Sequence, residues 1–528
     1  MTVIKHLSGI IILLVNQASF CAVFLRNFLC IGSAHDKKSL CYSFNIKTMV
    51  KGICSFSLLV ISSWSNAQTS NDDIIAKLAS GYGGNELTSI NAITIYDYRK
   101  VIFLQQSAPS DIPQFWRFNE ELTIDFQNKR KALISWRVNH TNKDLEKYIV
   151  DENSSRIYDI LHKKYTDDDW YNFANTGESF QRTSDTLIAK TIMSSKDKLK
   201  LIDEVQYRGS PHFIVEFPVS GQSNSQVYIN QNSGLITKVT RKHPSAGELT
   251  YVFSNHTKVG NIAFARELNF FVADNPRTVS TYRHIDTTPN LVERFAKPKA
   301  FVSWGEALYS KDMVHNQLAS GVYHVGKGYS RALFIDAGEY FISIGGDAQI
   351  ANNFESLQQQ LSTSKPLKFS VLTHHHSRQL GMVEPALGLG AKVVTVKNNL
   401  SAISNKLNRQ INDENVVLVN NSISFMNENI TIFDIATAHA DQNLIAFLNK
   451  EKILYAEDHY EILYKTGNPR VFENMVTFAS KIQSLGIDAQ TLVNGSSSRV
   501  LSIKEFKDTI NAYAEPTCPK GYRVCKNG

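Results

Sequence analysis

Two rhythms of apolar and polar residues divide the chain. From about residue 72 to 295, segments such as "NAITIYDY", "KALISWRV", "HFIVEFPV" and "GELTYVFSNHTKV" alternate apolar and polar positions, with Asn/Ser/Gly turns between them. That period of two belongs to strands with one packed and one wet face, and it predicts an antiparallel sheet. Around residue 296, at "KPKAF", the rhythm changes. Strand-like runs ("RALFID", "YFISIG", "KFSVLT", "AKVVTV", "ITIFDI", "NLIAFL", "KILYAED", "AQTLVN") now interleave with helical ones ("NFESLQQQL", "MVEPALGL", "SAISNKLNRQI", "PRVFENMVTFASKIQSL", "SIKEFKDTINAY"). The last helical run opens with a capping box, Ser502 and Glu505. Interleaving of this kind predicts an α/β layered domain. The acidic run Asp167-Asp168-Asp169 lacks the alternating oxygen ligands and glycine of a calcium loop. It is expected to be a solvated helix start.

Charge and cysteine change the picture mainly at the ends. The formal charge is +7 over 528 residues, but residues 1–67 hold six basic groups and one acid, leaving 50 basic against 48 acidic groups in the rest. No case for nucleic acid follows from that balance. From Met49 the chain reads "MVKGICSFSLLVISSWSNAQ": a lysine, a short apolar stretch, then small residues before a cleavage point near 67/68. This is signal-peptide grammar, with an apolar core too short to span a bilayer. Met49 is then the expected start, residues 1–48 an over-extended frame, 49–67 a signal peptide, and the mature protein periplasmic or secreted without a stable membrane span. Cys518 and Cys525 are the only cysteines after the leader, and in an exported chain they imply one disulfide pinning a tail.

The candidate chemistry lies in "FSVLTHHHSRQLGM". The apolar run ends at Thr373, which sets three histidines at the C-terminal end of a strand, where α/β folds place their chemistry. Residues i and i+2 project to one side of an extended backbone. His374 and His376 therefore converge while His375 points away. Two imidazoles make half a zinc site, and a third ligand must come from elsewhere. His439, after the strand "ITIFDI", and Asp458, after "ILYAE", are the candidates.

In that order these residues resemble the metallo-β-lactamase superfamily of metal-dependent hydrolases. The opening strand ending in aspartate corresponds to "LFIDAGEY" with Asp336. The HxHxDH motif corresponds to His374-His375-His376-Ser377-Arg378-Gln379, the third histidine to His439, and the bridging aspartate to Asp458. The last histidine of the pattern is replaced by Ser497, or by Ser496 if the register slips by one. The resemblance implies an αββα metallo-β-lactamase-like sandwich over 296–513, preceded by a separate antiparallel β-rich domain over 68–295 and followed by a disulfide-closed tail, 514–528. The strand rhythm of the first domain also resembles periplasmic lipoprotein-carrier half-barrels.

Carried over residue by residue, the resemblance implies one metal site, His374, His376, His439 and Asp458, and the loss of the second. Arg378, Gln379 and Ser497 replace its ligands, and arginine has no lone pair to offer a metal. At about 6 Å from a dication and an effective dielectric of ~20, a guanidinium feels roughly 5 kcal/mol of repulsion. Arg378 is therefore expected either to turn into solvent or to pair with Asp458. As the catalytic groups, the resemblance and the site chemistry point to Asp458 and Arg378, the latter for an anionic substrate group or an oxyanion. No spacing supports His459 or His375 as a base, and both are expected at the surface. The expected function is an exported hydrolase with one zinc ion acting on an ester, amide or related bond of a small-molecule substrate. Two rivals stand beside it: a catalytically degenerate binding protein, and a carrier of lipid or another hydrophobic ligand on the N-terminal sheet.

Overall fold

The computed structural model describes residues 69–221, 225–244 and 246–526; the leader readings for 1–48 and 49–67 lie outside them. Residues 69–528 form one compact unit. Its N-terminal part is a fourteen-stranded sheet. The chain runs out from Ala92–Phe103 to Lys164–Asp167, crosses by two helices, returns from Lys200–Tyr207 to Asn275–Asp286, and pairs that last strand with the first. All pairings are antiparallel except a short parallel one made by Val302–Ser303 at one edge.

One face of this sheet is filled by helices Asn71–Tyr82 and Asp185–Ser194. Ile74, Leu78, Tyr82, Ile188 and Ile192 pack there on Ile93, Leu122, Val227 and Leu268. The other face packs Tyr98, Trp136 and Leu145 against Val524 of the C-terminal tail, where the Cys518–Cys525 disulfide is formed. The helices missing from the sequence reading are therefore the ones that close the first core. The Asp167–Asp169 run is not a helix start: Asp167 ends a strand and pairs with Arg156, and Asp168 accepts the backbone N–H of Trp170 at 2.7 Å.

The C-terminal part has four layers. A seven-stranded sheet runs from Met313–Ala319 to Val416–Leu418, and a six-stranded sheet from Ser422–Phe425 to Leu501–Ser502. Alternation decides what each face meets. Leu333, Ile335, Ile342 and Ile344 of one sheet face Leu444, Ala446 and Leu448 of the other. The intervening residues Ala332, Phe334 and Phe341 turn outward onto helices Ile350–Leu361 and Val383–Gly388. Ile445, Phe447 and Leu454 turn outward onto Glu473–Ser484 and Ile503–Asn511. This is the αββα sandwich expected from the resemblance. Among the described residues no helix is long and apolar enough to cross a membrane.

Candidate metal centre

The strand Leu367–Val371 is parallel to both neighbours, and its last two residues are buried. Its C-terminal end delivers the histidine triplet to the rim where the two sheets meet. His374 and His376 are buried, with ring centroids 4.5 Å apart. His439, on the loop between Ile430–Ile435 and Asn443–Leu448, brings its ring to 4.8 Å from His374 and 4.4 Å from His376. Asp458 follows Ile453–Tyr455 with its backbone in the left-handed region, φ 59°. That conformation is uncommon outside glycine but tolerated by aspartate.

The donor atoms converge as well. His374 Nε2 lies 3.1 Å from His439 Nε2, and Asp458 Oδ2 lies 3.4 and 3.6 Å from the same two atoms. One ligand atom from each of His374, His376, His439 and Asp458 falls within 4.8 Å of the others. Zinc bound tetrahedrally at 2.0–2.1 Å separates its ligand atoms by roughly 3.3 Å. The donor set therefore fits one such ion in size and chemistry. Electrostatics agree. Burial pushes the His374 imidazole down to about 4 and, with its imidazole neighbours, pushes His376 lower still; both rings are neutral at pH 7, the form that metal binding requires. Burial alone raises the Asp458 carboxyl, but hydrogen bonds from His374 and His439 hold it well below the usual range.

Arg378 does neither of the two things expected of it. It does not pair with Asp458 and does not swing free. Its Nη1 lies 3.7 Å from Glu457 Oε1 and its Nε 3.5 Å from Asp347 Oδ2, while Nη2 donates to the Gly495 carbonyl at 3.1 Å and to the Tyr329 carbonyl. The guanidinium is anchored beside the histidines by two carboxylates, and Asp458 stays with the imidazoles. Gln379 supports this arrangement, donating from Nε2 to Asp458 Oδ2 at 2.9 Å. Of the two serines proposed for the last motif, Ser496 lines the cavity, while the buried Ser497 hydroxyl donates to the Arg499 carbonyl at 3.2 Å. His375 and His459 are both buried, against expectation. His459 stacks on Phe478 at 4.4 Å, and burial holds its imidazole well below the ordinary value. Asp336 is remote in role, closing a turn and pairing with Lys365 at 2.8 Å.

Glu457 was missed. It is buried, accepts from Tyr455 Oη at 2.5 Å and from Gly495 N–H at 2.8 Å, and burial followed by the Asp458 charge raises it to about 7. Two further contributions come from the N-terminal sheet. The hairpin turn after Arg130–Val138 carries His140, whose ring lies 6.4 Å from that of His439. Trp116 Nε1 donates to Gln114 Oε1 at 2.8 Å, which turns the Gln114 amide nitrogen toward His140 Nδ1. The signal for these was absent, since nothing in the local sequence ties residue 140 to residue 439.

The cluster opens on a cavity of about 370 Å³ whose walls include Trp116, His140, Tyr329, Arg378, Asp458 and Asn474. A larger cleft of about 980 Å³ near Trp304 and Pro516 holds none of the cluster's side chains. Chemistry, not size, marks the smaller one as the site.

No family model matches this chain, and no curated protein does. Solved structures do, each over 38% of it. VMB-1 at pH 5.5 is 18% identical with a TM-score of 0.32, covering 38% of this chain and 96% of its own. A metallo-β-lactamase from Hirschia baltica is 18% identical with a TM-score of 0.31, over 38% and 97%. FIM-1 from Pseudomonas aeruginosa, in a mono-zinc form, is 18% identical with a TM-score of 0.30, over 38% and 95%. The metallo-β-lactamase fold of the C-terminal half rests on its own strand order, its four layers and the placement of the histidines.

Proposed function

We propose that this chain is an exported hydrolase of the metallo-β-lactamase fold that works with a single zinc ion. The observation that carries the reading is the convergence of three imidazoles and one carboxylate, with a guanidinium anchored beside them. His374, His376, His439 and Asp458 would hold the ion, imidazole being a ligand suited to zinc. When bound, the ion supplies Lewis-acid polarisation of a substrate carbonyl or ester.

The chain's own groups do the rest. Asp458, steadied by Gln379, is the carboxylate that would complete the ligand set at the cavity. Arg378 gives that wall positive charge, although its donors are largely engaged by Glu457, Asp347 and two carbonyls, so a substrate anion meets its field more than its hydrogen bonds. A cavity of about 370 Å³ suits a small molecule. Ester, amide and related bonds are the substrate class. The signal-peptide-like sequence of 49–67 and the disulfide of the tail support export.

The test is metal analysis of protein expressed from Met49. About one zinc per chain, lost in His439→Ala, supports the reading. A folded protein without metal makes the chain a degenerate binding protein instead.

A further inference from the structure

The histidine cluster is not built by the C-terminal half alone. The loop 104–113 joins the paired strands Ala92–Phe103 and Gln114–Asp125 and crosses to both ligand-bearing segments. Ser377 N–H donates to the Gln105 carbonyl at 3.3 Å, and Gln106 Nε2 donates to Ser377 Oγ at 2.9 Å. Asp441 N–H, two residues beyond His439, donates to the Ala108 carbonyl at 2.9 Å. Between these ties the Ser107 carbonyl lies 2.9 Å from His375 Nε2 and 3.2 Å from His376 Nε2. A carbonyl oxygen only accepts, so both imidazoles carry a proton on Nε2. For His376 this leaves Nδ1 as the one lone pair it can give a metal.

We propose that loop 104–113 of the N-terminal sheet is a positioning element of the metal centre, its Ser107 carbonyl holding His376 as the Nε2–H tautomer and so presenting Nδ1 to the ion. The inference rests on the metal reading given above. A ligating imidazole usually ties its second nitrogen to a carbonyl or carboxylate, and losing that partner costs roughly 10- to 100-fold in metal affinity. Here the acceptor is supplied by a different sheet from the two that carry the ligands. The carbonyl is itself fixed: Ser107 is buried, with its hydroxyl 2.7 Å from the Pro109 carbonyl and in contact with that of Ile112. Metal affinity in the C-terminal half thus depends on a loop of the N-terminal half.

Two measurements on the full chain test this. In metal-free protein labelled with ¹⁵N-histidine, two-bond ¹H–¹⁵N correlations should show His376, assigned through His376→Gln, as the Nε2–H tautomer. The Nδ1–H tautomer overturns the inference. The second replaces 104–113 by Asn-Gly, because Phe103 and Gln114 are direct cross-strand partners and a two-residue turn can close such a hairpin. Competition titration against a chromophoric chelator should show zinc affinity falling roughly 10- to 100-fold. Zinc uptake indifferent to the loop overturns this inference alone. A wild-type chain that takes up no zinc overturns the metal reading and this inference with it. Should the shortened variant fail to fold, the tautomer of the unaltered chain decides.

Discussion

Arg378 stands where the resemblance places a metal-binding acid, and its surroundings explain how the position tolerates the exchange. Glu457 and Asp347 supply negative charge, and the guanidinium satisfies both while donating to two carbonyls. Replacing it with methionine keeps the bulk and removes the charge, leaving the buried Glu457 to face Asp458 uncompensated. Arg378→Met is expected to lower stability by about 2 kcal/mol, between the values for exposed and buried ion pairs. Urea unfolding checks this; an unchanged midpoint would mean the cation does not hold these acids. The residues of the cluster were legible because each follows a run that marks it as a strand. Glu457 and Gln379 were not. Their roles arise from contacts such as Gln379 to Asp458, across 79 positions of sequence, which no local pattern encodes.

Elements of the C-terminal half were legible for the same reason that they stack. Alternating residues such as Ala332/Leu333/Phe334/Ile335 serve two different cores, and the helices between them show a period near 3.6. The helix Asn71–Tyr82 has its own signals, a Ser70–Asp73 capping box and apolar residues Ile74, Leu78 and Tyr82 at fourfold spacing, but they stand beside a long strand-rich stretch whose period of two is the stronger pattern. The capping box that the sequence predicts at Ser502 and Glu505 is present, with Ser502 Oγ accepting from Glu505 N–H at 3.2 Å and the Glu505 carboxylate accepting from Ser502 N–H at 2.9 Å. Ser502→Ala should cost about 1 kcal/mol, seen as a lower denaturation midpoint with metal content unchanged. Loss of metal in that variant would mean that the packing of Phe506 on Tyr460 and Phe478 carries the cap's effect to the site.

At the scale of the whole molecule, the two halves share more than a linker. Arg470 of the C-terminal half lies 2.9 Å from Asp159 and 3.1 Å from Glu146 of the N-terminal sheet. The tail returns to that sheet through Val524, whose carbonyl accepts from Asn119 Nδ2 at 2.6 Å. Loop 104–113 and His140 of that sheet also reach the histidines. None of this was legible, since each contact joins segments hundreds of residues apart whose local sequences specify only a strand end or a turn. The central claim is a single ion at this junction, with the neighbouring position taken by a guanidinium. X-ray absorption at the zinc edge, on protein purified without chelator, tests it most directly. The account predicts one zinc with imidazole nitrogens and a carboxylate oxygen around it and no second metal in its surroundings; a metal–metal scattering path at about 3.5–4 Å would contradict it.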